Sequence, residues 1–270
     1  MDNISLDIKY ENLKTYLRNL KSAVVAFSSG VDSTFLLKIA HDELKNNVIA
    51  LSLKLNSFPK RELDGAIDFC KKEKIKHIIV EINELDIEGF KFNPINRCYL
   101  CKRELFKKIW EIAKENNIQY VLEGSNIDDS KDYRPGMKAV EELGVLSPLK
   151  ENCFTKNEIR ILSKKLNLKT AAKPSLACLS SRFAYGEEIT LEKINMVDRA
   201  EQLLFDLNFR QFRVRIHSNI ARIEVLEDEY EKLIKSRKEI TDYFKKIGFK
   251  YITMDLEGYR TGSMNEMLIV

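Results

Sequence analysis

The chain has 270 residues, with 45 lysines and arginines against 41 aspartates and glutamates and a formal net charge of +4. A hydrophobic content of 44% beside 32% charged residues is typical of a folded globular protein and excludes a disordered or fibrous chain. The small charge does not by itself indicate a nucleic-acid partner, and no apolar run reaches the length of a membrane span. The start of the chain lacks the basic and apolar stretches of a secretion signal. We therefore expect a cytoplasmic protein that binds neither nucleic acid nor membranes.

The first half of the chain alternates helical and strand patterns. It predicts helices at Tyr10–Leu20, Leu63–Lys74 and Leu105–Asn116, and strands at Ala23–Phe27, Val48–Leu55, His77–Ile82 and Tyr120–Glu123. A further helix is predicted by apolar residues that recur at helical spacing from Phe35 to Leu44. Strands separated by helices of this length predict an α/β fold, a parallel sheet with helices on both faces. Ligands of such sheets bind at the carboxyl ends of the strands, where the loop 28–33 and the turn Gly124–Asn126 are expected to lie together.

The second half of the chain follows a different pattern. A capping box at Thr155–Glu158 opens one more helix, and after about Ala184 the order becomes α-β-β-α-β. The predicted elements are a helix at Leu191–Leu207, strands at Phe212–Ile216 and Ala221–Val225, a helix at Glu229–Lys246 and a strand at Tyr251–Leu256. We predict two domains: 1–183 with the parallel sheet, and 184–270, a smaller, mainly antiparallel α+β domain for substrate binding and assembly.

The turn that follows the first strand carries the clearest chemical motif. It reads S-S-G-V-D-S and consists of Ser28, Ser29, Gly30, Val31, Asp32 and Ser33. A turn of small residues before a helix exposes backbone N–H groups at the positive end of the helix dipole, which favours binding of a phosphate chain. Asp32 adds a carboxylate suited to Mg²⁺ and Ser33 a hydroxyl suited to phosphate.

The spacing of this turn distinguishes it from other phosphate-binding loops. It lacks the lysine of G-x-x-x-x-G-K-[ST] and the three glycines of G-x-G-x-x-G. It is similar to the pyrophosphate loop, S-G-G-x-D-S, of enzymes that split ATP into AMP and pyrophosphate. Ser29 replaces the usual glycine, and serine is less suited to a positive φ. An ordinary strand–turn–helix junction is the alternative.

The five cysteines form no regular disulfide framework. Cys98 and Cys101 form C-x-x-C between cationic residues, which favour the thiolate, and Cys178 lies far downstream. Three thiolates without a nearby histidine do not complete a structural zinc site, but they suit a 4Fe-4S cluster with one open iron. A redox pair or half a zinc site remains open for C-x-x-C. We expect Cys70 in the core and a structural or incidental role for Cys153.

Two further polar segments are candidates for ligand binding. The loop after the fourth strand contains Asp128, Asp129, Asp132 and Arg134. These side chains suit Mg²⁺, ribose or phosphate, and a solvated loop is the alternative. Alternation along a strand places Arg213 and Arg215 on one face, where two guanidinium groups suit a phosphate monoester. A charged outer face of a half-buried strand is the competing interpretation.

Several long segments together resemble one known family, the LarE-type sulfur transferases, which build the nickel-pincer cofactor of lactate racemase. The resemblance covers nearly the whole chain. It is carried by A-F-S-S-G-V-D-S (26–33), D-Y-R-P-G-M-K-A (132–139), S-S-R-F-A-Y-G (180–186), R-V-R-I-H-S-N-I-A-R-I-E (213–224) and M-D-L-E-G-Y-R-T-G-S-M-N (254–265).

The resemblance implies a reaction and its cofactors. The family uses ATP and Mg²⁺ to adenylylate a carboxylate of pyridinium-3,5-biscarboxylic acid mononucleotide, and sulfur then replaces AMP to give a thiocarboxylate. One branch takes the sulfur from a sacrificial cysteine at the position of Cys178, which ends as dehydroalanine. Cys98 and Cys101 resemble the other branch, in which three catalytic cysteines hold a 4Fe-4S cluster whose open iron carries a sulfide.

The resemblance also implies partners and binding residues. The substrate is a small nucleotide, the protein is expected to be a homo-oligomer, and a sulfide donor is expected to supply the cluster. Residues implied to bind the substrate or its phosphate are Ser181, Arg182, Glu201, Arg213 and Arg215.

Three other functions compete with this interpretation. A tRNA-thiolating enzyme shares the loop and a three-cysteine cluster, but it typically adds zinc-binding cysteine pairs or an RNA-binding domain. An amide-forming ligase of the same superfamily does not need the cysteines. A nucleotide-binding regulator would bind ATP without releasing pyrophosphate.

Overall fold

The structure is a computed structural model that describes residues 5–131, 135–174, 177–260 and 262–268. The chain folds into two compact units. The first comprises described residues within 1–55, 60–82 and 96–175, and the second those within 56–59, 83–95 and 176–270. The sequence-based boundary between residues 183 and 184 stays a prediction.

The first unit contains a four-stranded parallel sheet in the order β3-β2-β1-β4. The strands are β1 (Ala23–Ala26), β2 (Val48–Lys54), β3 (Lys76–Glu81) and β4 (Val121–Leu122). The helices are α1 (Leu6–Leu20), α2 (Val31–Leu44), α3 (Lys60–Glu73), α4 (Arg97–Glu115), α5 (Gly136–Glu142), α6 (Pro148–Glu151) and α7 (Lys156–Lys165). The predicted parallel α/β sheet is confirmed.

Helices cover both faces of this sheet because its central strand is apolar on both sides. Successive residues of a strand point to opposite faces. Val25 packs in a buried cluster with residues of α1, α2, α3 and α7. Val24 packs in a second cluster with residues of α4 and α5. The absence of charged residues in β1 therefore indicates a strand that is buried on both faces of the sheet.

Helix α4 begins earlier than the sequence predicts. We expected a helix at Leu105–Asn116, whereas α4 starts at Arg97. Asn96 is its N-cap residue and makes no side-chain capping hydrogen bond. The C-x-x-C motif therefore lies in the first two turns of a helix.

The second unit contains a three-stranded sheet in the order β5-β6-β7. Its regular elements are α8 (Leu191–Asp206), β5 (Phe212–His217), β6 (Ile220–Val225), α9 (Tyr230–Lys235), α10 (Arg237–Lys246) and β7 (Tyr251–Met254). The predicted helix Glu229–Lys246 is divided at Ser236 into α9 and α10.

This second sheet is mixed rather than mainly antiparallel. Strands β5 and β6 form an antiparallel hairpin, but β6 and β7 are parallel. The helices α9 and α10 return the chain between β6 and β7, and a crossover of this kind joins parallel strands. The alternation of the sequence located the strands, but it contains no information on their direction. Among the described residues, no helix combines the length and the apolar content that a bilayer crossing requires.

Candidate active site

The predicted pyrophosphate loop joins β1 to α2 in the first unit. Gly30 is the N-cap of α2 and offers no side chain to its first-turn amides. The hydroxyls of Ser28 and Ser33 lie 3.1 Å apart, and Ser33 Oγ donates to the carbonyl of Gly30 at 3.4 Å. The first amides of a helix have no acceptor within the helix, so this loop has the geometry of an anion site.

The turn after β4 lies directly against the start of α2, as the sequence predicts. A Cβ atom on Gly124 would lie 3.0 Å from the amide nitrogen of Ser33 and 3.3 Å from the carbonyl carbon of Asp32. Asn126 Nδ2 donates to Asp32 Oδ1 at 3.3 Å. Glycine at position 124 therefore suits this close approach, because any side chain there would force the neighbouring backbone to shift.

We expect Gly124→Ala to displace the first turn of α2. The added methyl group should lower the free energy of unfolding by about 1–3 kcal/mol, as overpacking does, and should also weaken ATP binding. Urea unfolding and calorimetric titration with ATP and Mg²⁺ measure the two effects. Unchanged ATP affinity in a folded Gly124→Ala variant would contradict the close approach of the two backbones.

An ion pair that the sequence analysis missed lies at this loop. Lys156 Nζ contacts Asp32 Oδ2, and both side chains are about a quarter exposed. Lys156 is the first residue of α7, after the confirmed capping box of Thr155 and Glu158. A cation is unfavourable at a helix N-terminus. A lysine at the first position of the predicted helix could therefore have indicated a nearby anionic group.

Two of the candidate carboxylates after β4 accept hydrogen bonds from backbone amides. Asp128 Oδ2 accepts from the amide of Lys156 at 2.9 Å, and Asp129 Oδ2 accepts from the amide of Asn126 at 2.9 Å. The candidates Asp132 and Arg134 lie outside the described residues.

Cys98 and Cys101 are one helical turn apart on α4, in the first unit. Cys98 is exposed and Cys101 is partly buried. Arg97 Nη2 lies at hydrogen-bond distance from Cys98 Sγ, at 3.5 Å. Residues three apart on a helix share a face, so the two thiols can serve one group. Cys70 is in the core, as predicted, and burial raises the pKa of its thiol to about 12.

In the second unit, Arg182 and Glu201 form a buried ion pair. Arg182 Nε and Nη2 donate to the two carboxylate oxygens of Glu201 at 2.8 and 3.0 Å, and each side chain is 1% exposed. Burial alone would raise the pKa of Glu201, but the charges of Arg182 and Arg213 and its hydrogen bonds lower this pKa below its ordinary value. Glu201 also accepts from the amide of Val214 at 3.0 Å.

A second buried pair lies beside the first. Arg215 donates to both carboxylate oxygens of Glu224, at 3.0 and 2.8 Å, and to the carbonyl of Ser181 at 3.1 Å. Arg213 stacks over the ring of Tyr259 at 5.1 Å. Arg213 and Arg215 are both more than nine-tenths buried, so this strand face is not a solvated outer face.

The five predicted substrate residues thus form one cluster, which contains three guanidinium groups. Burial, and then the nearby charge of Arg182, lower the pKa of Arg213 to about 10. Ser181 Oγ lies 2.8 Å from Arg182 Nη1 and completes the cluster. The structure brings these residues together; their roles in binding stay predictions.

Cys178 is exposed in the second unit and its backbone is held by this cluster. Arg182 Nη1 donates to the carbonyls of Ala177 and Cys178 at 3.1 and 3.3 Å. The Sγ atom of Cys178 lies 3.0 Å from Ser57 Oγ, a contact that no pattern in the sequence indicates.

The structure does not test the three-cysteine cluster. Cys98 and Cys101 belong to the first unit and Cys178 to the second. Across residues 5–131, 135–174, 177–260 and 262–268, no three His, Cys, Asp or Glu side chains are grouped as metal ligands. The donor set fits an iron–sulfur cluster in its chemistry, because it consists of thiols. The cluster stays a prediction.

The parallel sheet and the loop before α2 are those of the pyrophosphate-loop class of ATP-using enzymes. The family described as "Queuosine biosynthesis protein QueC" matches residues 22–90, the part that contains this loop. An uncharacterized protein of Synechocystis sp. is 42% identical over 97% of this chain and 99% of its own length. An uncharacterized protein of Methanocaldococcus jannaschii is 32% identical over 93% of this chain and 95% of its own length.

A relative with a named activity identifies the family. The pyridinium-3,5-bisthiocarboxylic acid mononucleotide synthase of Lactiplantibacillus plantarum is 35% identical over 98% of this chain and 96% of its own length. The chain belongs to the family of this synthase, a family of ATP-dependent sulfurtransferases.

Proposed function

We propose that the protein adenylylates a carboxylate of pyridinium-3,5-biscarboxylic acid mononucleotide and converts it to a thiocarboxylate. One observation carries the proposal: the Asp32–Lys156 pair lies at the loop before α2, in a chain that is similar to the bisthiocarboxylic acid synthase over nearly its whole length. In our proposal the product serves the nickel-pincer cofactor of lactate racemase, the enzyme is a cytoplasmic homo-oligomer, and a separate donor supplies its sulfide.

The first chemical step uses the loop of the first unit. A carboxylate oxygen of the substrate attacks the α-phosphorus of ATP, the bond to the β-phosphate breaks, and pyrophosphate leaves. The loop amides and Lys156 stabilise the negative charge that develops on pyrophosphate. Asp32 fits Mg²⁺, which takes one or two protein carboxylates together with phosphate oxygens. When bound there, Mg²⁺ supplies further positive charge against the leaving group.

The arginine cluster of the second unit suits the phosphate of the mononucleotide. Two carboxylates, Glu201 and Glu224, pair with Arg182 and Arg215, and Arg213 adds a further positive charge. The lowered pKa of Arg213 reflects burial and repulsion from Arg182, and an incoming phosphate would relieve that repulsion. We therefore assign phosphate binding to Arg213 and Arg215, with Ser181 at their side. Arg182 and Glu201 hold the cluster in shape.

The second chemical step forms the carbon–sulfur bond. A sulfur nucleophile attacks the acyl carbon, and AMP leaves with the bonding electron pair. We propose that Cys98, Cys101 and Cys178 hold a 4Fe-4S cluster, which when bound supplies the sulfur atom as hydrosulfide. The alternative donor is Cys178 itself: its Cβ–S bond breaks, a proton leaves Cα, and dehydroalanine remains.

We expect protein purified without oxygen to be brown, with about four irons and four sulfides per chain. Cys98→Ala, Cys101→Ala and Cys178→Ala should each bleach it, whereas Cys153→Ala, a matched change of an exposed cysteine, should not. Iron and sulfide analysis and the visible spectrum measure this. A colourless wild-type protein that gains dehydroalanine at Cys178 during a single turnover would overturn the cluster and establish the sacrificial route.

The reaction itself is tested with the mononucleotide, ATP and Mg²⁺. Mass spectrometry should find AMP, pyrophosphate and the thiocarboxylate in equal amounts. Tight, salt-sensitive tRNA binding with no reaction of the mononucleotide would favour the tRNA-thiolating alternative instead. Product formation that needs ammonia and survives Cys98→Ala would favour an amide-forming ligase.

A further inference from the structure

The backbone of Ser29 is unusual for a serine. Its φ is +56°, in the left-handed region, and the residue is 3% exposed. This conformation is unfavourable for residues other than glycine, and it persists only where surrounding groups enforce it. Ser29 lies within the pyrophosphate loop, at the position where the usual loop has glycine. A contact that holds the backbone of Ser29 would therefore stabilise the loop.

Lys173 is positioned to hold it. Its Nζ donates to the carbonyl oxygen of Ser29 at 2.9 Å and lies 3.5 Å from Ser29 Oγ. The same ammonium group forms an ion pair with Glu62 of α3, a carboxylate that is only 4% exposed. A carboxylate buried this deeply needs a cation beside it. The ion pair therefore restricts the position of the Lys173 side chain as well as that of Glu62.

Two neighbouring helices complete the arrangement. Arg160 of α7 donates to the carbonyls of Ala171 and Lys173 at 2.7 and 2.8 Å, which fixes the backbone that carries Lys173. On α3, a Cβ atom at Gly65 would lie 3.1 Å from Ser29 Oγ, so glycine there leaves room for the hydroxyl. Helices α3 and α7 thus support the loop from outside it.

The contact of Lys173 affects the anion site through one peptide group. In a trans peptide the C=O and the N–H point in opposite directions. Holding the Ser29 carbonyl therefore fixes the direction of the Gly30 amide, the group that precedes the first turn of α2. The ammonium group contacts Glu62 and both oxygens of Ser29, so in this arrangement Lys173 supports the loop itself.

We propose that Lys173, fixed by Glu62, is a positioning residue that keeps the pyrophosphate loop in its phosphate-binding conformation although serine occupies the glycine position. The inference rests on the proposed use of ATP. It explains how this chain tolerates Ser29, and it assigns a function to a buried ion pair outside the proposed catalytic groups.

The first experiment measures ATP affinity by calorimetry with Mg²⁺. Lys173→Met should weaken ATP binding roughly tenfold, because the loop then adopts the left-handed conformation without help. In the Ser29→Gly background the same change should cost less than about threefold, since glycine accepts a positive φ freely. Lys38→Met is the matched control: Lys38 is also part-buried and pairs with Glu73, and its loss should leave ATP affinity unchanged.

The second experiment needs no nucleotide. Hydrogen exchange of the peptide covering residues 28–33, in the full chain, should be faster in Lys173→Met and in Glu62→Gln than in Lys38→Met. Equal exchange in all three variants, or an equal loss of ATP affinity in the Ser29 and Ser29→Gly backgrounds, would overturn the inference. A wild-type protein that binds no ATP would overturn the proposed function instead, and the exchange result would still decide the role of Lys173.

Discussion

Asp32→Asn is expected to lower kcat/KM for ATP by about 10²–10³, and Lys156→Gln by a similar factor. In the structure the two side chains pair with each other. In the proposed mechanism Asp32 contacts the Mg²⁺ ion and Lys156 contacts the phosphates of ATP, so each variant would remove a different stabilising charge. Pyrophosphate release in the presence of the mononucleotide is the measurement.

The double variant separates this mechanism from a purely structural ion pair. If each residue contacts its own ligand, the losses of Asp32→Asn and Lys156→Gln multiply. If the two residues act only through each other, the double variant is no worse than either single one. Lys38→Met is again the control. Lys38 pairs with Asp42 on its own helix, α2, and with Glu73 on α3, so its loss breaks ion pairs without touching Asp32 or Lys156. A double variant as active as the single variants would contradict separate ligand roles.

The strand–turn–helix unit that carries the pyrophosphate loop could be predicted from the sequence because all its determinants are local. The apolar run before Phe27, the small residues of the turn and the periodicity from Phe35 onward all lie within one strand–turn–helix unit. Gly124 could be placed beside this loop because strands of a parallel sheet end at the same edge. The structure confirms this approach of Gly124 to Ser33.

The supporting residues could not be predicted, because they are distant in sequence and their types are common. Lys156 follows Asp32 by more than one hundred residues, and Lys173 and Glu62 are ordinary charged residues of a highly charged chain. The parallel pairing of β7 was missed for a related reason. Strand direction follows from the path of α9 and α10, not from the residues of β7.

Arg182→Met is expected to have the largest effect on stability. It leaves the carboxylate of Glu201, which is 1% exposed, without its principal cation. Breaking a buried pair in this way costs about 3–5 kcal/mol, which lowers Tm by roughly 6–20 °C in a chain of this size. Arg182→Met with Glu201→Leu should recover part of the loss, since neither charge of this pair then remains. Lys54→Met, which breaks an exposed pair with Glu81, should cost less than about 1 kcal/mol.

The same pair predicts a dependence of stability on pH. Because the pKa of Glu201 is lower in the folded protein than in the unfolded chain, its contribution is fully present above the unfolded value, about 4.3. The contribution is lost as the pH falls through the folded pKa. Urea unfolding between about pH 6 and pH 3 should therefore show a shallower decline for the Arg182→Met, Glu201→Leu double variant than for the wild type. If the free energy of unfolding declined equally in both proteins, Arg182 would not keep Glu201 ionised. The Arg182–Glu201 pair would then not be what holds the arginine cluster together.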